Sequence, residues 1–502
     1  MKMKTKYIWL LAVLLSFTAC NNDDDSSSTV DNLPPLTAGE ADFSNYVAVG
    51  ASFSAGFSDG ALFIATQENS FPNIMSKKFE MLGGGSFSQP LMNDNIGGFV
   101  MGGTVVFNPR LYFDGSGPVV LPATPTTQIT DHLSGSFNNY GIPGAKSFHL
   151  GIPGYASLNP YFGRMASSPT ATVIGDAVAQ NPTFFTLSEI GGNDVLSYAT
   201  SGGTGVDQTG NLNPATYGVN DITDPNVFAA SFSAAVNALT ANGAKGVVTN
   251  VPYITSLAHF TTVPYNPIPL DAGTAAVVNN AYAAYNAGVA QAFAYLVGIG
   301  AVSQADADAE IAKRTIMFEA SESNAVVIMD EDLTDLTAIN PQLVSMRQAT
   351  ADDLLVLPAS SFIGTEAVPG NPLTVNGVAI PLADKWVLTP EEQQAIKTAT
   401  DAYNVTIESV ANANGLAMVD FKSILIEAST TGIASGNYIL NTSLVTGGLI
   451  SLDGVHLTSR GYAVMANEMM RAIDATYGSN FEASGNFVDC GDYPTNYSPS
   501  LQ

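Results

Sequence analysis

Five short apolar runs, separated by helical patterns, constrain the fold of this chain more than any other feature. They span residues 46–50, 137–140, 183–187, 246–251 and 416–420, and the first four end at turns that contain Gly, Pro or Asn. Runs of this length that are apolar on both faces are typical of strands in a parallel sheet covered by helices on both sides. The sequence therefore predicts an α/β fold with about five parallel strands.

Helical patterns occupy much of the chain between these runs. In residues 226–242, the side chains of Phe228, Phe232, Val236 and Leu239 recur on one helical face. A helix over 389–414 is indicated by Thr389 as a cap, followed by Pro390 at the first helical position. The other predicted helices cover residues 71–82, 274–297 and 462–477.

Three stretches are too long for ordinary connections, namely residues 83–135, 197–225 and 299–388. Insertions of this size in a compact domain often form lids or binding loops. Within the largest of them we predict a strand over 325–329 and a β-hairpin over 372–381 that turns at Asn376-Gly377. We expect a single folded domain over 43–480, followed by a tail over 481–502.

The charge of the chain argues against a nucleic-acid partner. It contains 44 acidic and 17 basic residues, for a formal net charge of −27. A surface of that sign repels phosphate backbones. At 46% apolar residues, the composition is still ample for a large core.

The N-terminus has the pattern of a secretion signal. Residues 1–19 combine three lysines with a short apolar stretch, which is typical of a signal peptide. The segment Phe17-Thr18-Ala19-Cys20 resembles a bacterial lipobox, which implies cleavage before Cys20 and lipidation of that residue. Residues 20–42 are polar and predict a flexible tether.

This pattern predicts an extracytoplasmic protein, anchored by lipid to the bacterial outer membrane. The run Asp23-Asp24-Asp25 resembles the surface-export signals of Bacteroidetes lipoproteins, although a plain solvated linker accounts for it equally well. The second cysteine, Cys490, lies far along the chain. Neither cysteine belongs to a CxxC pair, so the sequence offers no zinc ribbon.

The residues required for ester hydrolysis occur at the ends of the predicted strands. Ser52 follows the first strand in a tight turn, where open α/β sheets bind their ligands. Asp453 precedes His456 by three residues, so that its carboxylate can orient the imidazole as a general base. His132, His149 and His259 have no aspartate at that spacing. Ser54 and Ser58 are weaker candidates for the nucleophile.

Two further blocks offer donors for a developing oxyanion. Residues 139–145 read Asn-Tyr-Gly-Ile-Pro-Gly-Ala, and residues 190–194 read Ile-Gly-Gly-Asn-Asp. Backbone N–H groups and a neutral carboxamide are the donors that stabilise such charge. A Gly-Pro turn and an Asx turn are the ordinary structural explanations of the same two segments.

Taken together, these four blocks resemble the motifs of the GDSL/SGNH hydrolases. The resemblance implies a flavodoxin-like three-layer fold, a triad of Ser52, Asp453 and His456, and an oxyanion hole of Ser52, Gly144 and Asn193. It implies no metal or organic cofactor. Ala51 and Phe53 depart from the Asp and Leu of the GDSL signature.

The substrate class is less constrained than the reaction. Lipid or simple carboxylic esters are the first expectation, and acetylated glycans, for a carbohydrate O-deacetylase, are the alternative. A non-catalytic surface binding lipoprotein on the same scaffold is a third hypothesis. The sequence leaves the oligomeric state open.

Two acidic clusters raise the question of a calcium site. One comprises Asp306, Asp308 and Glu310, and the other comprises Asp330, Glu331, Asp332 and Asp335. Neither has the spacing or the glycine of an EF-hand loop, so solvated acidic faces are the expected interpretation.

Overall fold

The computed structural model describes residues 33–502. The predicted signal peptide, the lipidation site at Cys20 and the first part of the tether lie outside these residues. Thr37 donates its backbone N–H to the Asn480 side chain over 2.7 Å, so the start of the described chain contacts its C-terminal part. No helix within residues 33–502 is both long enough and apolar enough to cross a membrane.

A five-stranded parallel sheet forms the centre of the molecule, as predicted. Its strands run in the spatial order β2-β1-β3-β4-β5, so β1 pairs with both β2 and β3. The strands are β1 (Tyr46–Gly50), β2 (Asn139–Gly141), β3 (Phe184–Ser188), β4 (Lys245–Thr249) and β5 (Ala417–Val419). This is the flavodoxin-like order, in which the connections diverge to opposite faces of the sheet at the β1/β3 junction.

Thirteen α-helices are described in residues 33–502, and the five predicted helices are among them. Their bounds are α1 (Ser52–Ala55), α2 (Ile64–Glu68), α3 (Phe71–Glu80), α4 (Pro160–Gly163), α5 (Val173–Ala179), α6 (Asn193–Thr200), α7 (Pro225–Thr240), α8 (Ala258–Thr261), α9 (Ala272–Gly298), α10 (Gln304–Arg314), α11 (Pro390–Asn414), α12 (Phe421–Thr430) and α13 (Ser459–Tyr477). Helices α3 and α13 pack together on one side of the sheet, while α5, α7 and α11 form the layer on the other side. The fold is therefore three-layered.

The core lies between these layers, because the strands are apolar on both faces. All five residues of β1 and of β3 are buried. On the α3 side, the ring of Phe43 stacks on Phe79 with centroids 4.0 Å apart and meets Phe184 edge-on at 4.8 Å. Such contacts fix α3 against the sheet and so fix the turn that joins β1 to it.

Several antiparallel strand pairs lie outside the central sheet. The predicted strand in the largest insertion is present as Val327–Met329, which pairs with Met346–Gln348. The remaining pairs are Phe99–Met101 with Thr104–Phe107, Leu111–Phe113 with Pro118–Val120, Ile268–Leu270 with Ser321–Asn324, Leu354–Leu355 with Val387–Leu388, and Ile433–Ser435 with Tyr438–Leu440.

The prediction of a hairpin over 372–381 is wrong. The segment begins instead with a 3₁₀ helix, Pro372–Thr374, capped by the Asn371 side chain. The N–H groups of residues 378, 379 and 380 then all donate to the Val375 carbonyl. Because these N–H groups are already bonded, they cannot form the ladder of a two-stranded hairpin. Asn376-Gly377 still forms a turn.

Candidate active site

The predicted site residues lie at the carboxyl edge of the sheet. Ser52 is the first residue of α1, directly after β1, and Asn193 is the first residue of α6, shortly after β3. Gly144 follows β2. Because neighbouring parallel strands end at the same edge, the structure brings the three segments together.

Ser52 differs from its neighbouring hydroxyls in what it faces. It lines an apolar cavity and is 6% exposed. Ser54 is fully buried and donates its hydroxyl to Glu189 Oε2 over 3.2 Å. Ser58 is also buried. Among the three hydroxyls, that of Ser52 is the one at the cavity wall.

Asp453 and His456 form a hydrogen-bonded pair. His456 Nδ1 lies 2.9 Å from Asp453 Oδ2, and Asp453 Oδ1 accepts the backbone N–H groups of Val455 and His456 over 2.8 Å each. The three-residue spacing thus folds into a turn closed by its own carboxylate. Nε2 remains the ring nitrogen available for proton transfer.

The environment of Asp453 keeps its side chain ionised. Burial acts to raise the pKa of this carboxyl, but the neighbouring His456 and the hydrogen bonds from the His456 and Val455 N–H groups outweigh it. The pKa of Asp453 therefore lies well below its usual range. An ionised partner stabilises the imidazolium that forms when His456 accepts a proton.

Two aromatic rings hold the imidazole in place. Phe57 lies 4.5 Å from the His456 ring, between centroids, and Phe53 approaches it edge-on at 5.8 Å. Among the hydrogen bonds of residues 33–502, none joins Ser52 Oγ directly to His456. Such contacts often tighten only when a substrate is bound.

Hydrogen bonds join the N-terminal and C-terminal parts of the site. Gly60 donates its N–H to Asp453 Oδ2 over 2.8 Å. Asp59 donates its N–H to Ser451 Oγ and accepts the Leu452 N–H at Oδ1, each over 3.0 Å. The turn after α1 therefore supports the Asp453-His456 loop directly.

Three donors face the edge where Ser52 lies. Asn193 donates one amide N–H to the Ala145 carbonyl over 2.9 Å, which leaves its second amide N–H for another acceptor. The Ser52 and Gly144 N–H groups have no acceptor among the hydrogen bonds of the described chain. This donor set is chemically suited to an oxyanion.

The close approach of these loops depends on residues that the sequence analysis gave no role. At Gly141, a Cβ would lie 2.2 Å from the Ala55 nitrogen, so only glycine lets β2 reach α1 this closely. Asp194 accepts the Ser147 hydroxyl over 2.7 Å and the Ser147 N–H over 2.9 Å. That buried carboxylate ties the start of α6 to the segment after Gly144.

Glu189 is the main residue that the sequence analysis missed. Its side chain is buried beneath the serine turn, where Oε1 accepts the N–H groups of Ala51 over 2.6 Å and Ser54 over 2.9 Å. Burial raises the pKa of Glu189 to about 7, although the hydrogen bonds from Ser188, Ser54 and Ala51 oppose that shift. The available signal was a single acidic residue at the end of an apolar strand.

His259 also borders the site without having been predicted there. Its backbone N–H donates to the Gly454 carbonyl over 2.9 Å, so it braces the turn between Asp453 and His456. The His259 ring is buried, and burial lowers its pKa. A neutral imidazole in that position is structural support for the turn.

The cavity at Ser52 is apolar, with a volume of about 100 Å³. Gly461, Val464, Met465 and Glu468 line it at successive helical turns of α13. These positions span seven residues, so the cavity follows α13 for about 10 Å. Its other apolar walls include Phe421, Ile424 and Leu425 of α12 and Leu196 of α6.

Comparison with known proteins adds little to this geometry. No protein-family model and no curated protein matches the chain. The crystal structure of an extracellular lipase from Streptomyces rimosus aligns with 86% of this chain and 99% of that chain, at 11% identity and a TM-score of 0.29. At that score the likeness carries no argument, so the chemistry rests on the site itself.

Proposed function

We propose that this protein is a serine ester hydrolase that uses Ser52 as nucleophile. The observation that carries the proposal is the locked Asp453-His456 pair at the sheet edge where Ser52 meets an apolar cavity. His456 removes the Ser52 proton through Nε2 as the hydroxyl oxygen attacks the ester carbonyl. Asp453 holds the ring and stabilises its positive charge.

The oxyanion of the tetrahedral intermediate is held by the Ser52 and Gly144 N–H groups and by the free amide N–H of Asn193. Collapse of this intermediate expels the alcohol, which takes the proton from His456, and leaves an acyl group on Ser52. Water deprotonated by His456 then releases the carboxylic acid. Each donor of this kind contributes roughly 10²–10³ in turnover.

The first test is hydrolysis of p-nitrophenyl esters by the purified chain and by Ser52→Ala. Loss of a serine nucleophile from a triad costs on the order of 10⁶ in turnover. Labelling with a fluorophosphonate, followed by peptide mass spectrometry, should place the covalent adduct on Ser52.

Ser54→Ala is the matched control, because it removes the next hydroxyl of the same helix. This variant should keep most of the activity and label normally. Undiminished activity in Ser52→Ala would contradict the assignment of the nucleophile. Tight binding of an ester by the native chain without turnover would favour the binding lipoprotein instead.

The cavity supports an ester whose acyl chain is longer than acetyl. An apolar cavity beside α13 stabilises each methylene that it removes from water by about 0.8 kcal/mol. We therefore expect kcat/KM to rise from acetyl to medium-length chains. A maximum at acetyl, with no activity on longer chains, would favour the carbohydrate O-deacetylase.

We further propose that the mature chain begins at Cys20 and is anchored in the bacterial outer membrane by lipid. The lipobox-like segment supports this proposal, since acyl chains on one cysteine give stable anchoring when more than one is attached. Cys20→Ala should move the protein from the membrane fraction to the soluble fraction. An unmodified N-terminal peptide from the native protein would contradict lipidation.

A further inference from the structure

Three carboxylates from separate parts of the chain converge away from the candidate active site. Glu331 lies in the insertion over 299–388, Asp384 near its end, and Glu392 in the first turn of α11. One oxygen from each lies within 4.8 Å of the others. The sequence analysis had placed Glu331 in a solvated acidic run. In the structure Asp330 pairs with Arg347 instead, so that run does not act as one cluster.

Two oxygens of this cluster have unmet hydrogen-bonding capacity. Glu392 is 4% exposed, and its Oε2 accepts the Thr389 N–H over 2.6 Å and the Thr389 hydroxyl over 3.0 Å. Its Oε1 and Asp384 Oδ1 are buried and have no hydrogen-bond partner among the described residues. Burying a carboxylate oxygen without a hydrogen-bond partner costs free energy, so we expect these two oxygens to bind a ligand.

No basic side chain neutralises the cluster within residues 33–502, since none of the three carboxylates belongs to an ion pair there. The two nearby lysines are engaged elsewhere: Lys313 faces Glu391 at 3.7 Å, and Lys385 lies over the Trp386 ring at 4.9 Å.

The position of the cluster adds to its negative potential. Glu392 Oε1 packs against Gly203, where a Cβ would lie 1.5 Å from that oxygen. Gly203 follows the C-terminal end of α6, and its N–H donates to the Tyr198 carbonyl in the last turn. The C-terminal end of a helix carries partial negative charge, which favours a cation.

We propose that Glu331, Asp384 and Glu392 bind a calcium ion. An all-oxygen, acidic donor set is typical of a hard divalent cation. Calcium–oxygen distances are about 2.3–2.6 Å, so oxygens within 4.8 Å of one another are close enough to share one calcium ion. Magnesium, at about 2.0–2.1 Å, requires a tighter and near-octahedral set of ligands.

Calcium at this position is structural. It joins the insertion, through Glu331 and Asp384, to α11 and to the end of α6, whose first residue is Asn193. The ion therefore fixes the largest insertion to the central domain. This inference does not rest on the proposed ester hydrolysis, because binding is measured without a substrate.

Terbium luminescence tests the site on the full chain after removal of metals with EDTA. Tyr198 lies in the field of all three carboxylates, and Trp386 shares a 3₁₀ turn with Asp384, so excitation of these rings should sensitise bound terbium. Calcium should displace terbium with a Kd on the order of 10⁻⁴ M, the range of extracellular modules. An equal concentration of magnesium should leave the emission unchanged, and calcium should raise the Tm.

Glu331→Gln and Asp384→Asn should each weaken calcium binding by about ten-fold or more, because affinity follows the number of ligand charges. Glu391→Gln is the matched control: it removes a neighbouring exposed carboxylate of the same helical turn and should bind normally. Absence of sensitised emission, or equal affinity in Glu331→Gln, would overturn the proposal. So would a Tm that rises on acidification but not with calcium, which would show that the carboxyls share protons instead.

Discussion

Glu189 shows how a single side chain can organise the turn that carries Ser52. The backbone at this residue is left-handed, with φ of +50°, which is uncommon outside glycine. That conformation carries the side chain beneath the serine turn, where Oε1 accepts two backbone N–H groups. Ala51, which stands where the GDSL signature has Asp, offers no side-chain acceptor there. We interpret Glu189 as a positioning residue.

Glu189→Ala should destabilise the protein and lower its turnover. The substitution leaves the Ala51 and Ser54 N–H groups buried without an acceptor, at a cost of roughly 1–3 kcal/mol each. Glu189→Gln supplies a neutral oxygen at the same place and should restore most of both properties. Urea denaturation and ester hydrolysis of the two variants provide the measurement. Equal losses in both variants would assign the effect to the charge of Glu189.

Asp453→Asn should leave the fold intact while lowering turnover by about 10⁴, the order seen when a triad carboxylate is replaced by its amide. An amide N–H facing Nδ1 favours the wrong imidazole tautomer, so Nε2 can no longer accept the Ser52 proton. Measured kcat and circular dichroism together check this expectation. A variant with native kcat would show that His456 does not need its partner.

At the scale of elements, the structure separates what short-range patterns determine from what they leave open. Strand β1 and helix α11 match their predicted positions, because an all-apolar run and a Thr-Pro start are local signals. Strand β2 begins at Asn139, two residues later than predicted, because its pairing with β1 determines where it starts and ends. The positions of Ser52, Gly144 and Asn193 after β1, β2 and β3 were predictable for the same reason that the strands were, while their catalytic roles stay predictions.

Long-range contacts account for what the sequence analysis missed. The convergence of Glu331, Asp384 and Glu392 follows no periodicity. The hairpin expected at 372–381 was wrong for a local reason instead, because three N–H groups within five residues donate to the Val375 carbonyl. Glu189 was missed because the N–H groups that donate to it lie 135 and 138 residues away along the chain. Such contacts are set by the packing of whole elements.

Arg347→Met should destabilise the largest insertion strongly. Arg347 bonds Asp330 and, through two nitrogens at 2.7 Å each, Asp353, and all three side chains are buried. Removing one partner leaves buried charge without compensation, at a cost of roughly 3–5 kcal/mol. Chemical denaturation measures the loss.

Lys397→Met is the matched control for this prediction. It breaks the Asp401 ion pair of α11, which is about half exposed. Exposed pairs of this kind contribute about 0–1 kcal/mol. If the two variants lost the same stability, the buried network would not be the cause.

For the whole molecule, the buried carboxyls predict that stability falls as the pH rises toward 8. Burial raises the pKa of Asp59 to about 7, and it raises the pKa of Glu189 to about 7 as well. At Asp59 the charge of Asp453 adds to the shift, whereas the Leu452 N–H, Arg110 and His456 oppose it. At these two carboxyls the folded state therefore holds more protons than the unfolded state between about pH 4 and 7, so their contribution to stability decreases through that range, while the lowered pKa of the buried His149 and His259 acts in the opposite sense.

Urea denaturation at pH 5 and pH 8, in the presence of EDTA, should show the greater free energy of unfolding at pH 5. Glu189→Gln should reduce the difference between the two pH values, because the residue no longer titrates. A free energy of unfolding that increases toward pH 8 would contradict the prediction. Asp453 acts in the opposite sense, but only below its usual pKa range.

The hydrogen bond from Gly60 to Asp453 also determines when the site can form during synthesis of the chain. Its partners are 393 residues apart, so on the ribosome they are synthesised about 20–80 s apart at 5–20 residues per second. During that interval the turn that carries Ser52 lacks both His456, its proposed base, and the Asp453-His456 loop that supports the turn. On the proposed function, hydrolytic activity is therefore among the last properties that the growing polypeptide acquires, and a truncated product that ends before this loop lacks the proposed base.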